Sequence, residues 1–499
     1  MTDEPTGSEP REVGRLAAFR YRDFRLFWIS LFVSNIGTWM QMTATNWLLY
    51  QLTNSPVQLG LNGVFRAIPA IGFGLISGTF ADRYDRRRLM LWTQTVLGLL
   101  ALGLGMLDHS GHVQPWQIYA FTFVSSTVGS FDGPARQALF PSLVPRSVLP
   151  NAVALNSLLW KGAALLGPTL GGVAISLMGT AGAFYANAAS FLVVVVALLL
   201  MRTSASVRQI HHAFFSETKA GFSYIVSRPV ILGVMIMEGV SSVFGLDNAM
   251  LTIFASDILK VGASGFGLLQ SARGLGAVIG SSLFIAMGHR SHQGKILFAS
   301  AILYGIGFAL FGLSSWFLLS LALITFVGAA DTIWGACRST ILQLITPENF
   351  RGRVMGVFQL SNRGLNPLGQ METGLVVPLM GAPAATFFGG LLVTVVTLIT
   401  AWRVPGIPKF RLGETESHPA TQVLQKTSAQ RDRTPLRDFQ ITNLKSEIPI
   451  TSEELQASLG QRVIPSDFSS RKILSPAFNC REAGETRTRV SEPSATVYS

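Results

Sequence analysis

This sequence contains few charged residues and almost no cysteine. Only 13% of its 499 residues are charged, whereas soluble proteins carry about 25%, and 49% are hydrophobic. The mean hydropathy of +0.41 excludes a soluble protein of this size. The two cysteines, Cys337 and Cys480, are too few for a disulfide framework or a cysteine metal site.

Motifs for common enzyme chemistry are also missing. The seven histidines form no His-Glu-x-x-His pattern, so they do not predict a zinc hydrolase site. The segment Gly288–Lys295 superficially resembles a phosphate-binding loop, but five residues rather than four separate its glycines, and Ile296 follows. We therefore expect no enzyme activity, no cofactor and no metal, and we expect an ion gradient to supply any energy.

Long apolar runs account for most of the chain. A membrane span needs about 20 mostly apolar residues, and the sequence predicts an all-α integral membrane protein with twelve spans. These are 24–50, 57–81, 87–107, 114–137, 152–178, 181–201, 229–256, 264–288, 293–313, 316–338, 352–379 and 381–403.

Basic residues predict the orientation of these spans. Connections after odd-numbered spans contain one lysine, Lys260, and no arginine, whereas the N-terminal segment and the opposite connections are rich in arginine. The positive-inside rule then places both termini in the cytoplasm. This bias explains much of the net charge of +12, so we expect lipid contact and no nucleic-acid partner. No cleavable signal peptide is expected, and the predicted location is the plasma (inner) membrane.

The polar segments divide the chain into five parts. We predict an N-terminal cytoplasmic segment (1–23), a six-helix bundle (24–201), a cytoplasmic linker (202–228), a second six-helix bundle (229–403) and a mostly disordered tail (404–499). The order Asp, Arg, Pro, x-Pro, Gly that begins at Asp132 recurs from Asp331, which favours two pseudo-symmetric bundles. Recurrence of Pro and Gly through composition alone is the alternative.

The segment from Gly78 to Arg88 is a short charged hairpin between two apolar runs. It resembles the Gly-x-x-x-Asp-Arg-x-Gly-Arg-Arg signature of the major facilitator superfamily, although Asp85 stands at the second glycine. The alternative is a basic cluster that only sets topology. The residues that match the signature, and therefore form the predicted gating motif, are Gly78, Asp82, Arg83, Arg86 and Arg87.

A second motif lies in the fifth predicted span. Gly167, Pro168, Gly171 and Gly172 are similar to the Gly-x-x-x-Gly-Pro-x-x-Gly-Gly motif of exporters in this superfamily, with Ala163 at the first position. Physically, such glycines allow close helix packing and the proline bends the helix, so ordinary packing is the alternative.

Together these motifs resemble the branch that contains the enterobactin exporter and related macrolide and drug efflux proteins, over residues 20–403. The resemblance implies the major facilitator fold and rocker-switch alternating access driven by proton antiport. It also implies that Asp82 pairs with a nearby arginine and with the start of span eleven to stabilise an outward-facing state. We expect a monomer that exports a small amphipathic molecule such as a drug or siderophore.

Four acidic residues within the spans are candidates for proton coupling. Glu238 is the first choice, because it lies about 15 Å into its span, and Asp247, Asp132 and Asp331 follow. Fixed salt bridges are the alternative for Glu238 and Asp247, with Arg66, Arg273 or Arg363 as partners. Asp132 and Asp331 are expected to form gate ion pairs with Arg136 and Arg338, at spacings of four and seven, and an inert contact along the helix is the alternative.

Polar and aromatic residues of the first span predict one wall of a cargo path. Because an intramembrane cation needs a counter-charge, Arg66 requires a carboxylate or an anionic cargo. The alternative for the first-span face is a helix-packing seam. The path candidates are Asn35, Thr38, Trp39, Met42, Arg66 and Glu372.

Two other functions stay open: an importer or facilitator of a small metabolite, and a non-transporting sensor or adaptor that signals through the tail.

Overall fold

The computed structural model describes residues 16–202, 222–288 and 292–408, and these ranges contain helices and no strand. The twelve main α-helices are α1 (Arg22–Thr53), α2 (Pro56–Arg83), α3 (Arg86–His109), α4 (Pro115–Leu139), α5 (Leu149–Leu200), α6 (Pro229–Phe244), α7 (Asn248–Ile253), α8 (Gly262–Ala286), α9 (Gln293–Gly312), α10 (Phe317–Ile345), α11 (Glu348–Met380) and α12 (Ala382–Arg403). A π-helical turn, Phe254–Ile258, continues α7. Most of the predicted linker and the predicted tail beyond residue 408 lie outside the described residues.

Each of the twelve predicted spans falls on helix. One pair shares α5, which breaks at Gly179, where a φ of 71° suits a residue without a Cβ. Another span is divided between α6 and α7. Among the described residues, seven helical stretches are long and apolar enough to cross a membrane, including Arg146–Leu200 and Pro229–Ile258. The chain is therefore a multi-pass helical membrane protein, and the count of twelve spans stays a prediction.

Helix pairing repeats between the two halves of the chain. In the first half, α1 packs on α5, α2 on α4, and α3 on both α4 and α5. In the second half, α6 packs on α11, α8 on α10, and α9 on both α10 and α12. Each second-half pair corresponds to a first-half pair displaced by six predicted spans, which is the pattern of an internal repeat. We call these the first half (α1–α5) and the second half (α6–α12).

All described residues fall in one compact unit, Met1–Val423. The α5–α8 and α2–α11 contacts join the halves within it. We name the end that carries the start of α1 and the α2–α3 turn the basic face, and the other end the opposite face. The division into two six-helix domains stays a prediction.

Candidate functional site

The two halves touch backbone to backbone near the opposite face. A methyl group at Gly172 of α5 would lie 2.6 Å from the carbonyl oxygen of Ala263. One at Gly60 of α2 would lie 2.9 Å from the Cα of Gly374 in α11. Because a Cβ does not fit at these distances, only glycine permits this approach. We call this pair of contacts the glycine seam.

Side-chain hydrogen bonds cross the same interface. The Thr43 hydroxyl donates to Gln270 Oε1 at 2.6 Å. The Thr169 hydroxyl donates to Ser271 Oγ at 2.7 Å. Closer to the opposite face, the hydroxyl of Tyr50 donates to the carboxylate of Asp257. The first and second halves are thus joined by both close packing and polar contacts on this side.

Six glycines of α2, α4 and α11 in the helix parts nearer the basic face have no close neighbour. A methyl group would meet no heavy atom within 4 Å at Gly72, Gly74, Gly129, Gly133, Gly352 or Gly356. The α5–α8 contact does continue there, since Lys161 donates to Ser281. The close glycine contacts between α2 and α11 are therefore concentrated near the opposite face.

The exporter-like motif serves two interfaces. A methyl group at Gly167 would lie 2.4 Å from Trp39 Cβ, and one at Gly171 would lie 3.0 Å from Met40 Cα, so both glycines face α1. Gly172 faces α8, and the carbonyl oxygen of Pro168 lies 2.4 Å from a methyl group placed at Gly267. One face of α5 thus packs within the first half and another against the second.

Glu238 lies buried on α6 and forms an ion pair with Arg338 of α10. The side chains are only 6% and 10% exposed. The Arg338 guanidinium also lies 5.4 Å from the Trp334 ring centre and 5.0 Å from that of Phe358. Removing either charge would leave the other buried and uncompensated.

The expected pairing of Asp331 with Arg338 is wrong. Seven residues on a helix correspond to a rise of about 10.5 Å, so the two side chains share a face but are too far apart to pair. Asp331 pairs instead with Arg273 of α8 at 3.3 Å, and both side chains are about one-third exposed, at 37% and 35%.

Asp132 is the most completely bonded of the four acidic candidates. Its Oδ2 lies 2.8 Å from Arg136 Nη2. Its Oδ1 accepts from Thr93 Oγ1 at 2.9 Å and from Gln94 Nε2 at 2.8 Å. These contacts hold Asp132 against α3 and within α4.

Asp247 lies at a break that sequence patterns did not predict. Helix α6 ends at Phe244, and Asp247 then caps α7 by accepting from Met250 N at 2.8 Å. Its other oxygen accepts from the Thr373 hydroxyl at 2.5 Å. The sequence signal is Gly245 closely followed by an Asp in capping position, inside an apolar run.

Backbone groups that lose their intrahelical hydrogen bonds at this break find other partners, as backbone within a membrane must. Leu246 N donates to Tyr304 Oη at 2.9 Å. Arg273 Nη1 donates to Leu246 O at 3.2 Å. Since Arg273 also pairs with Asp331, the broken helix is connected to α8, α9 and α10.

The predicted cargo-path residues of α1 have different surroundings. Asn35 is buried and donates to Leu31 O of its own helix at 2.7 Å. Thr38 is exposed and donates to Ser34 O at 2.8 Å. Trp39 packs on Gly167, and Met42 lies beside Arg66. The polar face is therefore part packing surface and part accessible surface.

Arg66 is exposed and lies ten residues from the start of α2, about 15 Å along the helix. Its Nη1 lies 3.2 Å from Met42 Sδ. Within the described residues, Arg66 forms no ion pair. Glu372 of α11 is partly exposed and lies closer to the opposite face, between Gln370, which faces Gly63, and Gly374, which faces Gly60.

The charged hairpin binds helix ends. Asp85, the departure from the signature, caps α3 by accepting from Arg88 N at 2.8 Å. Arg86 Nη1 donates to Ala138 O at 3.0 Å, and Arg87 Nε donates to Leu198 O at 2.7 Å. Cations are favourable at helix C-termini, where unpaired carbonyls collect. The side chains of Asp82 and Arg83, and the surroundings of Gly78, lie outside the described residues.

The family described as transmembrane secretion effector matches residues 13–436. The chain belongs to the major facilitator superfamily. This match covers all described residues and confirms the resemblance that the two motifs indicated.

Relatives of this superfamily member include the MFS-type transporter YfiS of Bacillus subtilis, 25% identical over 382 residues, with 74% of this chain and 90% of YfiS covered. The enterobactin exporter EntS of Escherichia coli is 24% identical over 380 residues, with 75% of this chain and 91% of EntS covered.

Solved transporters share the major facilitator fold of this chain. The nucleoside transporter NupG has a TM-score of 0.61 at 13% identity, with 78% of this chain and 100% of NupG covered. A bacterial homologue of the iron transporter ferroportin, in an inward-facing state, has a TM-score of 0.59 at 15% identity, with coverages of 76% and 98%. At these identities the similarity establishes the fold alone.

Proposed function

We propose that this major facilitator superfamily protein exports a small amphipathic molecule by proton antiport. Two features support export: the exporter-like motif around Pro168, and the relative EntS, which exports enterobactin. The proposal places both termini in the cytoplasm and the protein, as a monomer, in the plasma (inner) membrane.

The observation that carries this proposal is the glycine seam together with the exposed polar side chains between the halves. Gly172 and Gly60 pack against the second half near the opposite face, whereas Thr38 and Arg66 are exposed. Under the predicted orientation, the seam closes the extracellular side. Cargo would then reach Thr38 and Arg66 from the cytoplasm, as export requires, and separation of the seam would release it outside.

Proton coupling is proposed for the buried pair of Glu238 and Arg338. Protonation of Glu238 would remove the counter-charge of a nearly buried guanidinium. Breaking a buried pair in this way costs about 3–5 kcal/mol, enough to favour a different arrangement of α6 and α10. Asp331, paired with Arg273, is the more exposed second candidate. The capping and hydrogen-bonding contacts of Asp247 and Asp132 favour structural roles for those two residues.

The available energy is sufficient for useful export. One charge that crosses a potential of 100 mV yields about 2.3 kcal/mol, which supports a cargo gradient of roughly fifty-fold.

Uptake into everted membrane vesicles under an imposed proton gradient tests this proposal. We expect uptake of amphipathic compounds that collapses when a protonophore dissipates the gradient. Accumulation in right-side-out vesicles instead would indicate an importer. Loss of a cellular phenotype on deletion of residues 409–499, with no transport in either preparation, would favour a sensor.

A further inference from the structure

Two hydrogen-bond donors from different halves converge on one weak acceptor in the centre of the protein. Arg66 Nη1, from α2 in the first half, lies 3.2 Å from Met42 Sδ. Asn248 Nδ2, from α7 in the second half, lies 3.7 Å from the same sulfur. A thioether accepts hydrogen bonds poorly, so neither donor is well satisfied by this arrangement.

The position of Arg66 is fixed by its own backbone and by α4. Ser126 Oγ donates to the Arg66 carbonyl oxygen at 2.8 Å. On the adjacent turn, a methyl group at Gly63 would lie 2.6 Å from the carbonyl oxygen of Pro367 in α11. The guanidinium therefore extends from a segment of α2 held on two sides.

Carboxylates near the spans have other partners among the described residues. Glu238 pairs with Arg338, Asp331 with Arg273, and Asp132 with Arg136. The carboxylates of Asp108, Asp247 and Asp257 accept from Thr180, Thr373 and Tyr50 respectively.

Two further acids, on α2 and α11, form no ion pair with Arg66 among the described residues. Asp82 lies sixteen residues further along α2, about 24 Å away by helix rise. Glu372 lies level with Gly60 to Gly63, towards the opposite face. Arg66 thus forms no ion pair within the described ranges, and an exposed intramembrane arginine is costly unless water or an anionic ligand compensates it.

We propose that Arg66 and Asn248 form a subsite for an anionic oxygen, a carboxylate or phenolate, on an otherwise apolar cargo. The anion would replace Met42 Sδ as the acceptor for both donors, and it would bridge α2 and α7. Met42 and the partly exposed Trp39 would contact the apolar body, because both side chains offer apolar, polarisable surface. This inference rests on the proposed function, since the ligand is the cargo.

Binding to the purified, detergent-solubilised full-length protein tests the subsite without any gradient. The probes are fluorescein, which is anionic, and rhodamine 123, which is cationic and shares its xanthene core. Fluorescence anisotropy gives the Kd of each probe for wild type and for Arg66→Gln, Arg66→Lys and Asn248→Ala. The matched control is Arg146→Gln, which removes one exposed charge from the α4–α5 connection.

We expect Arg66→Gln to weaken fluorescein binding at least tenfold, equivalent to about 1.4 kcal/mol, while rhodamine 123 binding stays equal or tightens. Asn248→Ala should weaken fluorescein binding several-fold, and Arg66→Lys should lose less than Arg66→Gln. Arg146→Gln should match wild type. Size-exclusion profiles and melting temperatures check folding, and Asn248→Ala keeps the test valid if Arg66 variants unfold.

The subsite is overturned if wild type does not bind fluorescein, if Arg66→Gln and Asn248→Ala bind it as wild type does, or if both probes weaken equally. Failure of proton-driven export is a separate outcome, because it leaves charge-selective binding intact.

Discussion

Adding one methyl group to the glycine seam should shift the conformational equilibrium of this transporter. In Gly172→Ala, the new Cβ would lie 2.6 Å from the carbonyl oxygen of Ala263, whereas ordinary contacts begin at 3.4 Å. Helices α5 and α8 must therefore separate by about 0.8 Å locally, or their side chains must distort. Overpacking of this kind costs about 1–3 kcal/mol. This cost falls only on the state with a closed seam. The population of that state relative to the state with an open seam should therefore fall about 5- to 150-fold.

Cysteine accessibility measures this shift. In a background without Cys337 and Cys480, a Thr38→Cys reporter is labelled with an impermeant maleimide added from one side of oriented vesicles. Gly172→Ala should increase labelling from the opposite face, and Gly129→Ala is the control, since its methyl group meets no atom within 4 Å. Equal labelling of Gly172→Ala, Gly129→Ala and the parent would refute the reasoning.

Three further substitutions test other parts of the structure. Glu238→Gln should uncouple transport from the proton gradient, because it removes the titratable partner of Arg338; transport that keeps its pH dependence contradicts this. Asp82→Asn should lower transport while membrane insertion, followed by protease protection, stays normal; unchanged efflux would count against a gating role. Asp85→Ala should destabilise the protein by about 1 kcal/mol through loss of the α3 cap, seen as a lower melting temperature, whereas Asp85→Asn should retain most of the stability. Equal melting temperatures for the two Asp85 variants would rule out the cap as the cause.

Hydropathy located the helices well, because bilayer thickness fixes how many apolar residues a span needs. It also placed a connection at 178–182, where Gly179 breaks α5. The partners of buried charges could not be obtained in the same way. Spacing along α10 shows that Asp331 and Arg338 share a face. Only the packing of α8 and α6 against α10 determines that Asp331 pairs with Arg273 and that Arg338 pairs with Glu238.

Two local features had sequence signals that composition obscured. The α6–α7 break is encoded by Gly245 and the capping residue Asp247, but the apolar residues around them indicate one continuous span. Asp85 departs from the superfamily signature, yet an N-cap favours Asp because its carboxylate accepts backbone N–H groups. In both cases, helix capping explains what periodicity alone does not.

The proposed coupling of export to a proton gradient is tested most directly by flux in everted vesicles. The measurement is the initial rate of uptake of fluorescein and of rhodamine 123, with an imposed gradient and again after a protonophore. We predict gradient-dependent uptake of fluorescein that the protonophore abolishes. Equal rates with and without the gradient, in vesicles shown to contain folded protein and to hold the gradient, would contradict proton-coupled export.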